Sequence, residues 1–442
     1  MTAVVRKSGR LRLVVTICIL TLFVGYLFNL VAPRSFIAPY YFSFRSALSS
    51  GTFGVQDILY LFVLVLTGFV FFIVPSYFGL LLAFSFGRAS LIAANVLPLV
   101  SIIIPAKNHE ENIGRTLECL LKSDYAKDKM EILVVTSGST DRTEEICKQF
   151  ASKGPVKILN EPLQRKGKPA ALNLGLASAK GELVAVYDAD TITTPETLRN
   201  LATLFVEPSV SAVTGPIQVL NEDDNKLTRG TSLENTYYSG AGLLYEIRER
   251  LGQSVFLLGR NFAIRTGLLK NLGGFEETSL TEDFSLMFKL REQGERIAFS
   301  PKAVAKDLVP PNWNSFLMQR ERWATGWNEE NAKYMAQTKD KRKAGLGMIN
   351  FMLYVNLAIF TLLALILAPI FWLLGDYLIM MACLLTIVFT VVLMGVSIHK
   401  YGNRRYSLLA YFPVFIFVSL VMFKNAAIRP QKEMEWNQTE TE

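Results

Sequence analysis

The residues best suited to chemistry fall in four short stretches, each with an ordinary structural reading beside the chemical one. "VYDAD" sets Asp188 and Asp190 two apart at the end of an apolar run, so both carboxylates can turn into one crevice. Such a pair suits a hard, oxygen-ligated divalent cation shared with the phosphates of a nucleotide. The plain alternative is a solvated turn in which Asp190 or Thr194 caps a helix starting near Pro195. In "SLTEDFSLMFKLREQG", Glu282 and Asp283 open a helix whose apolar face is Phe284, Met287, Phe288 and Leu290. Acids in a first turn favour the helix dipole, and one of them also suits a general base if a substrate hydroxyl comes within reach. "QRERWATGW" holds Gln319, Arg320, Arg322, Trp323 and Trp327. A forked guanidinium fits phosphate oxygens and an indole gives a sugar ring a flat surface, while Trp and Arg also gather where a helix lies on a membrane. In "QRKGKPAALN", Lys166 and Lys168 flank a Gly at a helix start that favours an anion; a solvated basic turn is the alternative. His109 and His399 have no partner at metal-ligand spacing.

These stretches need elements to position them. "LPLVSIIIPAKNHEENIGRTLECLL" reads as strand, polar loop and helix, with Ile113 and Leu117 at helical spacing. "MEILVVTSGSTDRTEEICKQFA" repeats the pattern, with Asp141 and Glu144 as a capping box. "VKILN" is a third strand, "GKPAALNLGLASA" a helix, and "GELVAVYDAD" a fourth strand ending in acids. This alternation predicts an α/β domain around a mainly parallel sheet with its ligand crevice at the carboxyl ends of the strands. The loops Lys107 to Glu111, Thr136 to Thr140 and Asp188 to Asp190 leave such ends and are expected to converge.

The 442-residue chain is 51% hydrophobic and only 19% charged, too apolar for an ordinary soluble enzyme. A hydrocarbon core of about 30 Å takes roughly 20 apolar residues as helix. Leu13–Val31, Ile58–Phe84, Ile349–Leu374, Tyr377–Ile398 and Ser407–Phe423 qualify as windows. Arg6, Lys7, Arg10 and Arg12 ahead of an uncleaved first span place the N-terminus in the cytoplasm. The expectation is a multi-pass cell-membrane protein with a cytoplasmic domain over 97–312, two helices in 1–96, interfacial helices in 313–346, about three spans in 347–428 and a polar tail from 429. Five spans would leave the basic tail outside, so Pro413 is read as marking a re-entrant or interfacial segment, or one crossing is miscounted. Cys18, Cys119, Cys147 and Cys383 show no metal-ligand spacing and read as reduced thiols. Much of the net charge of +8 sits beside the spans, where it serves orientation and anionic lipid, and no basic patch interleaved with exposed aromatics points to nucleic acid.

With these residues in hand, the chain resembles the membrane-integrated family 2 glycosyltransferases, the group of cellulose, hyaluronan and poly-N-acetylglucosamine synthases. The likeness rests on "SIIIPAKNHEENI", "SGSTDRT", "GKPAALN", "DAD", "GRNFAIRTGLLKNLGGF", "TED" and "QRERW" in the family's order. It implies a GT-A fold inserted between transmembrane helices, a nucleotide-sugar donor, UDP-sugar favoured, and Mg2+ or Mn2+. Carried over residue by residue, it implies Asp190 as the direct metal ligand with Asp188 beside it, Asp283 as general base with Glu282 next to it, and Gln319, Arg322 and Trp323 at the diphosphate and acceptor sugar. Gly259 and Arg260 join the substrate side, and Ala106, Lys107, Glu110, Ser137, Lys168 and Asp188 surround the nucleotide. The chain departs from the family at Thr136-Ser137, where acids are usual and one contacts the base, which puts the identity of the base in question. The resemblance implies an inverting transfer giving a β-linked product, led by a processive polysaccharide synthase, with a single-transfer lipid glycosyltransferase as alternative and a catalytically silent membrane scaffold as a third reading.

Overall fold

The computed structural model of the chain describes residues 38–59, 61, 97–161, 167–251, 253–338 and 357–427. The window Leu13–Val31, most of Ile58–Phe84, Lys166 and the tail beyond 427 lie outside the described residues. The chain divides into two compact units, Met1–Gly87, Arg250–Gly252 and Leu353–Val396 against Arg88–Glu249, Gln253–Met352 and Ser397–Glu442.

The second unit carries the α/β domain. Its first part alternates β1 (Val100–Ala106), α1 (Ile113–Leu121), β2 (Met130–Thr136), α2 (Thr143–Ala151), β3 (Val156–Asn160), α3 (Lys168–Ser178) and β4 (Leu183–Tyr187). There follow β5 (Ile192–Thr193), β6 (Val210–Thr214), β7 (Ile217–Val219), α4 (Lys226–Glu234), β8 (Asn261–Arg265), α5 (Glu282–Glu292), β9 (Arg296–Phe299), β10 (Ala305–Asp307) and α6 (Trp313–Gln337). Seven strands form one sheet in the order β3-β2-β1-β4-β8-β6-β9, and β8 alone runs against its neighbours. Strands β2 and β4 are buried along their whole length, so their runs of Val, Leu and Ala are continuous rather than alternating, as a sheet covered on both faces requires. Ile102, Ile104, Ile132, Val134 and Ala185 fill one face against Leu117 and Leu120 of α1. The register sets Ala106 beside Thr136 and Thr136 beside Asn160, so the carboxyl ends of β1, β2 and β3 finish level.

The capping box expected at Asp141 and Glu144 does not form. Helix α2 begins at Thr143, and Asp141 Oδ1 instead accepts from the Thr143 N–H at 3.0 Å.

Helix α6 is set on the domain at its start and along its middle. Asn312 caps its start, its side chain accepting from Ser315 N–H at 2.9 Å. At the second residue of the QRERW stretch, Arg320 grips Glu234 at the end of α4 through Nη1 at 3.2 Å and Nη2 at 2.7 Å, and the Tyr238 hydroxyl donates to the same carboxylate at 2.5 Å. At Gly326 a Cβ would stand 2.6 Å from Thr281 Cγ2, so only glycine lets α6 lie against the start of α5. Helix α9 (Phe412–Ala427) packs on α4 and α6, with Leu227, Phe316 and Val418 at the junction. Pro413 thus falls in the first turn of α9, where a missing N–H costs nothing.

In the first unit, α7 (Leu357–Leu373) and α8 (Tyr377–Tyr401) pack through Ala364, Ala368, Phe371, Ile379 and Cys383, and Thr361 and Thr390 hydrogen bond at 2.9 Å. Among the described residues one helix, Ile379–Tyr401, is long and apolar enough to cross a membrane; Ala358–Leu373 and Tyr406–Leu420 are shorter apolar helices.

The Arg320 and Glu234 side chains are 1% and 0% exposed, so neither charge has water to fall back on. Glu234→Ala is therefore expected to cost about 3–5 kcal/mol, read as a lowered thermal midpoint of the detergent-solubilised protein. Glu118→Ala, which breaks the solvent-exposed pair with Lys122, is expected to leave the midpoint unchanged.

Candidate active site

The acids at the end of β4 do not stand alone. Ligand oxygens of Asp188, Asp190 and Asp307 lie within 4.8 Å of one another. Asp307 comes from a second, three-stranded sheet in the order β5-β10-β7. There β10 runs antiparallel to β5 with Lys306 opposite Ile192, so continuing the register sets Asp307 opposite Thr191, next to Asp190. Leu220 N–H holds the Asp307 carbonyl at 2.8 Å, Leu308 N–H donates to Oδ1 at 3.0 Å, and Arg260 Nη1 meets Oδ2 at 2.6 Å. Burial, with the charges of Asp307 and Asp188, pushes Asp190 well above the usual carboxylate range. Burial also raises Asp307, although Arg260 pulls it down. Three carboxylates so close together form an oxygen donor set suited to a hard divalent cation rather than to a softer metal.

A second group of acids is joined to the first by one lysine. Lys168, the first residue of α3, sends its Nζ to Asp188 Oδ1 at 2.7 Å, Glu282 Oε1 at 3.2 Å and the Gly259 carbonyl at 3.1 Å. Burial would lower its pKa, but the charges of Asp188, Glu282 and Asp283 outweigh burial and raise it. Asp283, in the first turn of α5, accepts from Gly259 N–H at Oδ2 and from Phe284 N–H at Oδ1, both at 2.8 Å. Burial and the adjacent Glu282 raise its pKa to about 6, while Lys168 and the two N–H groups restrain the rise. Such a carboxylate is ionised at neutral pH yet basic enough to take a proton.

Helix α6 faces this group. Burial lowers the Arg322 pKa against the charges of Glu282, Asp283 and Asp188, and its Nε is buried without a hydrogen-bond partner. A buried donor left over beside carboxylates marks room for a further acceptor such as a phosphate oxygen. Gln319 is buried on the same helix. Trp323 has the Arg320 guanidinium over its ring at 4.6 Å and that of Arg260 at 5.8 Å. It stacks on Trp327 at 6.3 Å, and Trp327 stacks on Phe284 at 5.1 Å. Of the two arginines in QRERW, Arg320 is paired with Glu234, and Arg322 is the one on which the charges of Glu282, Asp283 and Asp188 act.

At the ends of β1 to β3, Ala106 is buried and its carbonyl accepts from Ser137 N–H at 3.3 Å, while Lys107 is exposed. Glu110 Oε2 is taken by Arg142, from N–H at 3.0 Å and Nε at 3.2 Å, which stitches the loop after β1 to the start of α2. The Ser137 hydroxyl donates to Glu161, a buried acid just beyond β3, and Thr136 donates to Asn160 at 2.8 Å. The structure therefore gathers Asp188, Asp190, Lys168, Glu282, Asp283, Gly259, Arg260 and Arg322 into one site, with Ala106 and Ser137 farther along the sheet edge. Reading the sequence missed Asp307 and Glu161. Asp307 is a single acid in "VAKDLVPP" with no spacing partner, whereas Glu161 was findable as the residue leaving the third strand.

The family described as Glycosyltransferase like family 2 matches residues 98–326. The chain belongs to this family. Relatives of this family 2 glycosyltransferase include the probable glycosyltransferase YdaM of Bacillus subtilis (strain 168), 33% identical over 66% of this chain and 74% of that protein. The beta-monoglucosyldiacylglycerol synthase of Nostoc sp. is 31% identical over 54% of this chain and 51% of that protein. The poly-beta-1,6-N-acetyl-D-glucosamine synthase of Staphylococcus epidermidis is 28% identical over 57% of this chain and 60% of that protein. The matched region thus spans only about half of the Nostoc synthase. Among solved structures, the mannosyltransferase PcManGT from Pyrobaculum calidifontis, in complex with GDP-Man and Mn2+, shares the fold with a TM-score of 0.50 over 80% of this chain and 97% of that one, at 21% identity. The enzyme is a GT-A-like α/β glycosyltransferase with a mixed sheet.

A Cβ on Gly259 would stand 3.0 Å from Asp283 Oδ2 and 3.2 Å from its Cγ, tighter than ordinary contact. Gly259→Ala is expected to displace that carboxylate, lowering transfer on the order of tenfold or more with a nearly unchanged thermal midpoint. Full activity in this variant would show that the position of Asp283 does not matter.

Proposed function

We propose that this family 2 glycosyltransferase moves a sugar from a nucleoside diphosphate donor, a UDP-sugar first among candidates, to an acceptor hydroxyl with inversion. An α-linked donor then gives a β-linked product, and the acceptor is the growing end of a polysaccharide. The observation that carries the reading is Asp283, a part-buried carboxylate with its pKa raised to about 6, fixed by two N–H groups and linked through Lys168 to Asp188.

In this scheme Asp283 takes the acceptor proton as the acceptor oxygen bonds to the anomeric carbon and the bond to the diphosphate breaks. Arg322 offers its unpartnered Nε to the departing phosphate. Lys168 holds Asp188 and the Glu282-Asp283 pair in one arrangement, and Trp323 and Trp327 give the acceptor sugar an aromatic border. Asp188 and Asp190 are the residues that would hold Mg2+ or Mn2+, which when bound supplies positive charge to the leaving group. Toward the end of β2, Ser137 meets the base. The apolar helix Ile379–Tyr401 supports attachment to the cell membrane, and the basic residues Arg6, Lys7, Arg10 and Arg12 are the ground for a site on the cytoplasmic side. A lipid acceptor is the second reading, favoured by the likeness to the Nostoc glycolipid synthase.

Asp283→Asn is expected to reduce turnover about 10²- to 10⁴-fold while donor affinity changes little; a near-normal rate would remove Asp283 as the base. Because the base acts unprotonated, wild-type transfer is expected to fall as pH drops through about 6 and to level off above it. A pH–rate profile with no acid limb there would count against the assignment.

Incubation of the purified protein with Mn2+ and a panel of labelled UDP- and GDP-sugars, followed by sizing of products, decides acceptor and base. A high polymer supports the polysaccharide reading, one lipid-soluble product supports the glycolipid reading, and EDTA is expected to stop both. Transfer that persists in EDTA would overturn metal dependence.

A further inference from the structure

The acids at the end of β4 carry more charge than a nucleotide-shared cation requires. Asp188 has the Lys168 ammonium at 2.7 Å and Asp307 has the Arg260 guanidinium at 2.6 Å, while Asp190, between them, makes no ion pair among the described residues. The three carboxylates nonetheless keep their oxygens within 4.8 Å of each other, a range at which three ionised acids repel unless a cation lies among them. Asp307 is not a bystander swept in by a loop. It is 3% exposed, its backbone carbonyl is tied to Leu220, and the next residues are stapled by Asn221, whose Oδ1 accepts from Val309 N–H at 3.0 Å and whose Nδ2 donates to the Val309 carbonyl at 2.9 Å. A second observation points to a ligand: Arg322 sits on α6, which packs on the helix that opens with Glu282 and Asp283, and its buried Nε has no hydrogen-bond partner, so beside the cluster of oxygens there is a donor open to an anion. That combination fits a cation together with a diphosphate.

We propose that Asp307 is a third protein ligand to the divalent cation, so that the enzyme takes up its metal before its donor. This rests on the metal-dependent reading above. Two carboxylates hold a hard cation weakly until diphosphate oxygens join them, whereas a third charged oxygen raises affinity for the ion alone. Arg260 then keeps Asp307 turned inward, since a carboxylate oxygen has lone pairs for both a guanidinium and a cation. The sequence position of Asp307, 117 residues beyond Asp190, conceals this from any spacing motif.

The test is Mn2+ binding to the full-length detergent-solubilised protein, followed by electron paramagnetic resonance with and without UDP or GDP. The wild type is expected to bind one Mn2+ without nucleotide. Asp307→Asn is expected to weaken that binding on the order of tenfold or more, and nucleotide is expected to restore much of it. Counting bound water by 17O broadening in the wild type needs no variant: three protein oxygens leave about three waters on an octahedral ion, and two leave about four. Unchanged nucleotide-free binding in Asp307→Asn, a count of four waters, or wild-type binding only with nucleotide would overturn the proposal while leaving the Asp188–Asp190 site standing. No Mn2+ binding under any condition, with Asp190→Asn indistinguishable from wild type, would overturn the metal site itself.

Discussion

Everything in this site depends on gathering acids that repel one another. Asp188, Asp190, Asp307, Glu282 and Asp283 converge in one buried region, and their charges meet three cations, Lys168, Arg260 and Arg322. Lys168 is the joint, because a single ammonium touches Asp188 on one side and Glu282 on the other and also steadies the ionised form of Asp283. Burial raises Asp283, Asp190 and Asp307, and Lys168 opposes the rise at Asp283 as Arg260 does at the other two. The balance leaves Asp283 near 6 and Asp190 well above the usual carboxylate range, so that neighbouring carboxylates are suited to different work, one to taking a proton and the other to taking a cation.

The helix that carries QRERW is held by a separate set of forces. Arg320 is paired through both Nη atoms with Glu234, which also accepts from Tyr238, away from the acids, and its guanidinium also covers the ring of Trp323. That fixes the rotation of α6 and so decides which side Arg322 presents. Gly326 removes the side chain that would hold α6 off Thr281, and the stack from Trp323 through Trp327 to Phe284 continues the contact along α5. Breaking the Arg320 pair therefore reaches the site through packing, even though neither partner touches the acids.

The turn "VVTSGSTDRT" lacks the acids usual at Thr136 and Ser137, yet the place is not without a carboxylate. Glu161, just beyond the neighbouring strand, accepts the hydrogen bond of the Ser137 hydroxyl, which leaves the serine oxygen able to accept one in turn. Parallel pairing of β2 with β3 is what makes this possible, since Thr136 lies beside Asn160 and the next residue on each strand continues side by side.

The sequence by itself determined the α/β order, the four strands that end in polar loops, the DAD and TED acids and the helical QRERW stretch, because each depends on neighbours within a few residues: period, turn chemistry and local charge. It did not determine that β8 runs against the sheet, that Lys168 ties one acid pair to the other, that Arg320 and Arg322 part company, or that α9 packs as a helix on α4 and α6. Only the tertiary structure decided that Asp307 joins Asp188 and Asp190, since its place follows from two-residue strand β5 pairing with β10, a contact between segments more than a hundred residues apart. Local pattern reports what a side chain is able to do; the long-range register decides what it meets.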